Sequence, residues 1–332
     1  MTRSSIRRLL PALALFIAAL ASAPASAGPY DTLVVFGDSL SDSGNNTIAI
    51  GSNPAQVITG NTYVPSQTYG SGVYSNGPVW ATDAAAKLGV PLAPSLAPGG
   101  TNYSYGGATT GPAGNGFPFS LLVQSGQYLA ATANHASANG LYVIAGGGND
   151  ARAALTAIGG GADPLTTIGA TAASFAANVG SIVDALQLAG AQHIIVWDAP
   201  NVGLAPAVVA SGAGGLATFL SSSMNSALAA RLAGEAGVTT FDLFGLNTQI
   251  ATNPALFGFT NAKDACGAVP GANCDQYAYW DGIHPTAAAH GVIADAFFAV
   301  AVPEPETWLL MVGGLAALGA MSRRRAKSGQ PA

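Results

Sequence analysis

Hydrophobic and polar positions alternate between two patterns along the central part of the chain. Short apolar runs predict buried β-strands at residues 33–36, 140–145, 193–197 and 239–244. Longer stretches with apolar residues on one face predict helices at residues 79–88, 167–188, 216–236 and 285–300. Strands separated by helices form parallel sheets that are covered on both faces. The pattern therefore predicts an α/β fold, a three-layer α/β/α sandwich with a central, mainly parallel sheet.

Two further stretches, residues 51–74 and 150–163, are rich in Gly, Ser and Thr, and we expect both to be long loops without regular elements. The carboxyl ends of parallel strands meet at one edge of a sheet, where ligands bind. Ser39, Asn149 and the segment after Trp197 each follow a predicted strand. We therefore expect them to gather at that edge.

The first 27 residues have the features of a secretory signal peptide. Three arginines precede an apolar run at 9–20, and the segment closes on Ala25-Ser26-Ala27, a small-x-small cleavage site. A buried first helix is the alternative interpretation. Export would follow from the first interpretation.

The other end of the chain carries a second signal-like pattern. Pro-Glu-Pro at 303–305 precedes 14 apolar residues, 308–321, and three arginines at 323–325. A membrane span needs about 20 such residues, so a transient anchor or one in a thin membrane is expected, with the arginines on the cytoplasmic side. The arrangement resembles the PEP-CTERM sorting signal of Gram-negative bacteria that make exopolysaccharide. That resemblance implies an exosortase-type partner and delivery to the cell surface, the extracellular matrix or the medium; a plain C-terminal anchor is the alternative.

These signals predict the domain organisation of the chain: a signal peptide at 1–27, one α/β domain at 28–301, a sorting segment at 302–326 and a tail at 327–332. Within 28–301 there are four basic and fourteen acidic residues, a net charge of −10. Nucleic acid binding requires basic clusters, so it is excluded as a function. We expect contact with membranes only through the terminal signals.

Cys266 and Cys274 are the two cysteines of the chain. An even number of cysteines in an exported protein favours a disulfide, which would join these two residues ahead of the last predicted helix. No other ligands stand near them at zinc spacing, so neither a metal nor a cofactor is expected.

Four short motifs, in this order, carry candidate chemistry. They are Gly-Asp-Ser-Leu at 37–40, Asn-Tyr-Ser-Tyr-Gly-Gly-Ala at 102–108, Gly-Gly-Asn-Asp at 147–150 and Asp-Gly-Ile-His-Pro at 281–285. A serine becomes nucleophilic when a nearby base takes its proton, and the last motif supplies a histidine with a carboxylate three residues before it. The mid-chain Gly-x-Ser-x-Gly elbow of α/β-hydrolases is missing from the sequence.

Together the four motifs resemble the GDSL or SGNH family of serine esterases and lipases, whose fold is flavodoxin-like. The resemblance spans nearly all of residues 28–301. It implies that Ser39 is the nucleophile, His284 the general base and then acid, and Asp281 the residue that orients His284. It also implies an oxyanion hole formed by the N–H groups of Ser39 and Gly107 and the side-chain amide of Asn149.

Several assignments remain open at this stage. Gly106 is the alternative to Gly107, and Asp198 is a less well spaced alternative acid. Asp38 and Asp150 are expected to brace turns, and His135, His193 and His290 to lie in loops or on helix surfaces. Five aromatic residues could line an acyl pocket or pack loops: Tyr63, Tyr69, Tyr74, Phe117 and Phe119.

The sequence therefore predicts an exported carboxylic-ester hydrolase that forms an acyl-enzyme. Its expected substrates are small-molecule, lipid or acylated-glycan esters. Two alternatives remain: a deacetylase or acyltransferase that acts on exopolysaccharide through the same site, and a non-enzymatic matrix protein on a hydrolase fold.

Overall fold

A computed structural model describes residues 29–63, 66–111 and 116–302. The predicted signal peptide, the tail and all of the predicted sorting segment except Val302 lie outside these residues. Within the described ranges, no helix has both the length and the apolar character that crossing a membrane requires.

The strands, in chain order, are β1 (Thr32–Gly37), β2 (Ser52–Asn53), β3 (Thr68–Tyr69), β4 (Gly140–Ala145), β5 (His193–Trp197), β6 (Val238–Phe241), β7 (Asn261–Ala265) and β8 (Tyr277–Tyr279). The α-helices are α1 (Asn45–Ile50), α2 (Trp80–Leu88), α3 (Leu121–Ala131), α4 (Gly148–Gly159), α5 (Pro164–Leu188), α6 (Pro206–Ala210), α7 (Gly214–Leu232), α8 (Leu243–Thr252) and α9 (Ala287–Ala301). Short 3₁₀ turns occupy Val202–Leu204, Pro254–Phe257, Cys266–Ala268 and Cys274–Gln276.

The central sheet has the order β1-β4-β5-β6, and each neighbouring pair is parallel. Residues 101–103 extend it beyond β1, since Val35 N donates to Thr101 O at 3.1 Å and Tyr103 N donates to Val35 O at 2.7 Å. The predicted parallel α/β fold is confirmed.

Side chains alternate between the two faces of this sheet and form two separate cores. Val34, Phe36 and Ile144 face a core shared with α3, α4, α5 and α7. Leu33, Val35 and Val143 face the opposite core, which contains residues of α2 and α9. Both faces of β1, β4 and most of β5 are buried, which explains their nearly continuous apolar sequences and the three layers. On the edge strand β6, Thr239 and Thr240 are exposed.

The structure corrects two predicted loops and one predicted boundary. Residues 51–74 were expected to have no regular elements, but they contain the two-residue strands β2 and β3. Residues 150–163 were expected to be a loop, but α4 runs from Gly148 to Gly159 and buries Ala151 and Ala154. Alanines give a weak apolar signal, which explains the miss. The fourth strand ends at Phe241, because the Asp242 carboxylate accepts a hydrogen bond from Gly245 N at 2.6 Å and caps α8.

Candidate active site

A tight turn places Ser39 just beyond the end of β1. A Cβ atom at Gly37 would lie 2.9 Å from Ala145 O and from Ser41 Cβ, so the backbone passes where only glycine fits. The Gln124 side chain holds this point: its Oε1 accepts from Gly37 N and its Nε2 donates to Gly37 O, both at 2.8 Å. Leu40 N then donates to Asp38 Oδ1 at 3.0 Å. These bonds fix the turn on which Ser39 sits.

The structure brings Ser39, His284 and Asp281 into one hydrogen-bonded line. Ser39 Oγ lies 2.9 Å from His284 Nε2, and His284 Nδ1 lies 2.7 Å from Asp281 Oδ2. Asp281 and His284 are buried, while Ser39 is partly exposed. Residues 245 positions apart in the chain thus meet at the carboxyl edge of the sheet.

The Asp281 carboxylate is saturated with donors. Its Oδ1 accepts from the N–H groups of Ile283 at 2.8 Å and His284 at 2.7 Å. Its Oδ2 also accepts from the Tyr69 hydroxyl at 2.5 Å. Burial acts to raise the pKa of Asp281, but His284 and these hydrogen bonds outweigh it, so its pKa is lowered. The carboxylate is therefore held ionised next to the imidazole.

The three groups considered for the oxyanion hole each keep an unused N–H donor. The N–H groups of Ser39 and Gly107 make no hydrogen bond to any described residue. Gly106 N, in contrast, donates to Asp42 Oδ2 at 3.1 Å. Asn149 Nδ2 donates one hydrogen to Ala108 O at 2.8 Å, and the amide keeps a second. This geometry favours Gly107 over Gly106 as a donor to a bound oxygen.

Hydrogen bonds that the sequence did not reveal hold the segment Gly106–Gly107 in place. Asn46 Nδ2 donates to the Tyr74 hydroxyl at 2.7 Å and to Gly106 O at 3.1 Å. The Tyr74 ring also packs against the His284 ring at 5.4 Å between centroids. A Cβ at Gly106 would lie 2.0 Å from Tyr74 Cε2. The segment that follows the first motif therefore matters as well, because Asp42 and Asn46 position the second motif.

A cavity of about 100 Å³ opens beside Ser39, Asn149 and His284. Its apolar lining is mainly aliphatic, with Tyr279 as an aromatic member, and the aliphatic residues include Leu40, Leu155, Val202, Val208, Ile283 and Ile293. The aromatic residues considered from the sequence are absent from this lining among the described residues. Tyr69 and Tyr74 contact the Asp281–His284 pair, and Phe117 and Phe119 pack edge-on against Tyr105.

The remaining candidates fall outside the Ser39–His284–Asp281 line. Asp150 accepts from Thr110 N and Thr110 Oγ1, which agrees with a bracing role. Asp198 accepts from Phe244 N at 2.9 Å, and burial raises its pKa to about 7. His290 was expected on a helix surface; instead it is fully buried on α9.

Cys266 and Cys274 are joined by a disulfide with a Cα–Cα distance of 5.5 Å. The bridge links the turn after β7 to the turn before β8. Trp280 and Asp281 follow β8 directly, so the disulfide lies one short strand away from Asp281.

Comparisons with known proteins show what the chain is similar to. The model of the GDSL-like lipase/acylhydrolase family matches residues 33–297, and that of the PEP-CTERM protein-sorting motif matches residues 301–325. Lipase 1 of Photorhabdus luminescens is 39% identical over 59% of this chain and 26% of its own length. Esterase EstA of Pseudomonas aeruginosa is 31% identical over 89% of this chain and 50% of its own length.

The chain thus spans half or less of the length of these two relatives. A solved carbohydrate acetylesterase from Sinorhizobium meliloti is 15% identical, with a TM-score of 0.40 over 81% of this chain and 99% of that protein. The sorting motif indicates export and surface association in Gram-negative bacteria. The match over residues 33–297 shows that the chain belongs to the GDSL-like lipase/acylhydrolase family.

Proposed function

We propose that this protein is an exported carboxylic-ester hydrolase that works through Ser39, His284 and Asp281. The observation that supports this most directly is the continuous line from Ser39 Oγ to His284 Nε2 at 2.9 Å and from His284 Nδ1 to Asp281 Oδ2 at 2.7 Å. Membership of an esterase and lipase family agrees with it.

In the proposed reaction, Ser39 Oγ attacks the ester carbonyl while His284 Nε2 takes the serine proton. The tetrahedral intermediate collapses to an acyl-Ser39, and the imidazolium gives that proton to the leaving alcohol. Water then attacks the acyl group, with His284 again as base, and the acid is released. Asp281 keeps Nδ1 protonated and stabilises the imidazolium.

The negative oxygen of the intermediate is proposed to bind the N–H groups of Ser39 and Gly107 and the free N–H of Asn149. Gly107 has φ +86°, a backbone conformation that glycine adopts readily and that keeps a Cβ out of the site. Loss of one such donor costs about 3–4 kcal/mol of transition-state stabilisation.

The mainly aliphatic part of the cavity wall favours an aliphatic acyl or alcohol chain against it. We therefore expect activity on esters with short aliphatic acyl chains. Processing by an exosortase-type enzyme at the sorting motif is part of the same proposal.

The test is Ser39→Ala, assayed with 4-nitrophenyl butyrate. We expect at least a thousandfold loss of kcat with an unchanged far-UV CD spectrum, because the nucleophile is removed and the fold is not. Ser226→Ala, which alters an exposed hydroxyl on α7, is the matched control. Full activity in Ser39→Ala would refute the assignment.

A second candidate is a deacetylase or acyltransferase that acts on exopolysaccharide through the same site. The sorting motif at 301–325 favours it, since surface delivery brings the enzyme to the matrix. Release of acetate from acetylated matrix polysaccharide, measured against hydrolysis of lipid esters, separates the two candidates. A non-enzymatic matrix role predicts instead that a fluorophosphonate probe fails to label Ser39.

A further inference from the structure

One cation faces the candidate active site of an otherwise acidic domain. Residues 28–301 contain four basic side chains: Lys87, Arg152, Arg231 and Lys263. Lys87 pairs with Asp295, Arg231 pairs with Asp184 and Glu235, and Lys263 is exposed. Arg152 lines the cavity beside Ser39.

Helix α4 points Arg152 and Asn149 to the same place. The two residues are three positions apart, so they share one helix face, and Leu155 continues that face along the cavity wall. Asn149 is the proposed oxyanion donor. A group bound by Arg152 therefore lies near the ester carbonyl.

The guanidinium of Arg152 is held but not neutralised. Its Cζ lies 5.1 Å from the centre of the Tyr63 ring, which is a cation–π contact. Within residues 29–63, 66–111 and 116–302 it forms no ion pair, and its side chain donates no hydrogen bond. Five N–H donors in a half-buried site are thus available to a bound oxyanion.

Building on the proposed function, we propose that Arg152 binds an anionic oxygen group, a carboxylate or a phosphate, that the ester substrate carries near its scissile bond. The net charge of −10 repels such substrates at long range. Recognition must therefore come from a local cation, and Arg152 is the one that lines this cavity. An acidic sugar or an anionic phospholipid would supply the group.

A competing role is that Arg152 balances the charge of Asp38. Asp38 also lines the cavity; burial raises its pKa to about 6, and Arg152 acts against that rise. The two groups do not form an ion pair within 4.0 Å. A balancing role affects neutral and anionic esters alike, whereas recognition affects the anionic ones selectively.

The experiment compares matched esters that differ in charge. The phosphate pair is 1-acylglycerol 3-phosphate and the 1-acylglycerol with the same chain. The carboxylate pairs are 4-acetoxybenzoate with its methyl ester, and mono-4-nitrophenyl succinate with 4-nitrophenyl butyrate. The variants are Arg152→Met, which keeps the stem and removes the charge, and Arg152→Lys, which keeps the charge without the planar donors. Lys263→Met makes the same change in net charge outside the cavity.

We expect Arg152→Met to lower the ratio of kcat/KM, anionic over neutral, about tenfold or more for at least one pair. Arg152→Lys should give a smaller loss, and Lys263→Met should leave the ratio unchanged. The pair that responds identifies the phosphate or the carboxylate as the group. Equal losses on both members of every pair, or an equal loss of the ratio in Lys263→Met, would overturn the inference.

A binding measurement separates this inference from the proposed hydrolysis. Ser39→Ala protein is titrated with glycerol 3-phosphate, 4-hydroxybenzoate and succinate, and the same titrations are made with Ser39→Ala/Arg152→Met. For the anion that is recognised, we expect the Kd of the double variant to be about tenfold higher than that of the Ser39→Ala protein. If the two proteins bound each of the three anions with the same affinity, recognition by Arg152 would be rejected. This conclusion would hold even if the protein hydrolysed no ester.

Discussion

The Asp281 carboxylate receives a hydrogen bond from Tyr69, which lies outside all four sequence motifs. Tyr69 lies on the two-residue strand β3, is buried, and donates to Asp281 Oδ2, the same oxygen that contacts His284 Nδ1. Its ring packs edge-on against Trp280 at 5.7 Å. Tyr69 therefore orients the carboxylate that orients the histidine.

Tyr69→Phe should lower kcat on a neutral short-chain ester about tenfold, with little change in KM, because the ring packing stays and one donor to Asp281 is lost. The hydrogen bond from Tyr69 helps to lower the pKa of Asp281. In the variant this pKa rises, so activity on the acid side is lost at a higher pH than in the wild type. A pH profile of kcat/KM measures the shift.

Tyr277→Phe, which changes a half-buried tyrosine on β8, is the matched control. If Tyr69→Phe changed neither the pH profile of kcat/KM nor kcat, Tyr69 would have only a packing role.

At this scale the sequence predicted what short spacing determines. Asp281 and His284 lie three positions apart, and their meeting follows from a single turn. Tyr69 contacts Asp281 across 212 positions, and no periodicity encodes such a contact. The choice between Gly106 and Gly107 likewise depended on where Asp42 places its carboxylate.

At the scale of elements, the small strands β7 and β8 lie outside the central sheet and lead into the turn at residues 280–284, which contains Asp281 and His284. Strands β7 and β8 pair with each other, and Ile58, Tyr69 and Ala265 form a separate apolar cluster with Trp280 packed against it. Trp280 N donates to His284 O at 2.8 Å, and Gly267 N donates to Trp280 O at 2.9 Å. The disulfide closes the loop between β7 and β8, so it restrains the chain just before the turn at residues 280–284.

Replacement of both cysteines, Cys266→Ala/Cys274→Ala, should lower the free energy of unfolding by about 2–3 kcal/mol, because the bridge closes a short loop and restrains the unfolded chain. Urea unfolding of the oxidised protein and the variant measures the difference. A reductant should lower the midpoint of the wild type and leave that of the variant unchanged. Equal midpoints in the oxidised wild type and the variant would contradict a stabilising role.

The elements that the sequence predicted well are those with strong side-chain patterns. Strands β1, β4 and β5 are apolar after their first residue, and α5 shows a face that includes Phe175, Val179 and Val183. Helices α1, α3, α4, α6 and α8 were not predicted. Helices α1 and α6 have only six and five residues, and the buried residues of α4 are alanines. Ser120 caps α3 by accepting from Val123 N, a signal that is visible only beside a known helix.

For the molecule as a whole, folding buries ionisable groups whose effects on stability oppose one another. Burial raises the pKa of Asp38 to about 6 and that of Asp198 to about 7, so both bind protons more tightly in the folded state and add stability as the pH falls towards 4. His290 is fully buried, and neither ring nitrogen has a hydrogen-bond partner among the described residues. Burial, and secondarily the charge of His284, lowers the pKa of His290 to about 3.

His290 therefore makes the fold sensitive to acid. Between about pH 6.5 and pH 3 the unfolded chain binds a proton at this residue and the folded protein does not, so stability is full above pH 6.5 and falls below it.

His290→Leu removes the group that the unfolded chain protonates, and it removes two unsatisfied polar atoms from the core. The variant should unfold at a higher temperature than the wild type at pH 7, and its advantage should grow as the pH is lowered to 4.5. Thermal unfolding at both pH values measures this, with His135→Leu, which removes an exposed histidine, as the control. A difference in Tm between variant and wild type that stays constant with pH would show that His290 does not cause the acid sensitivity.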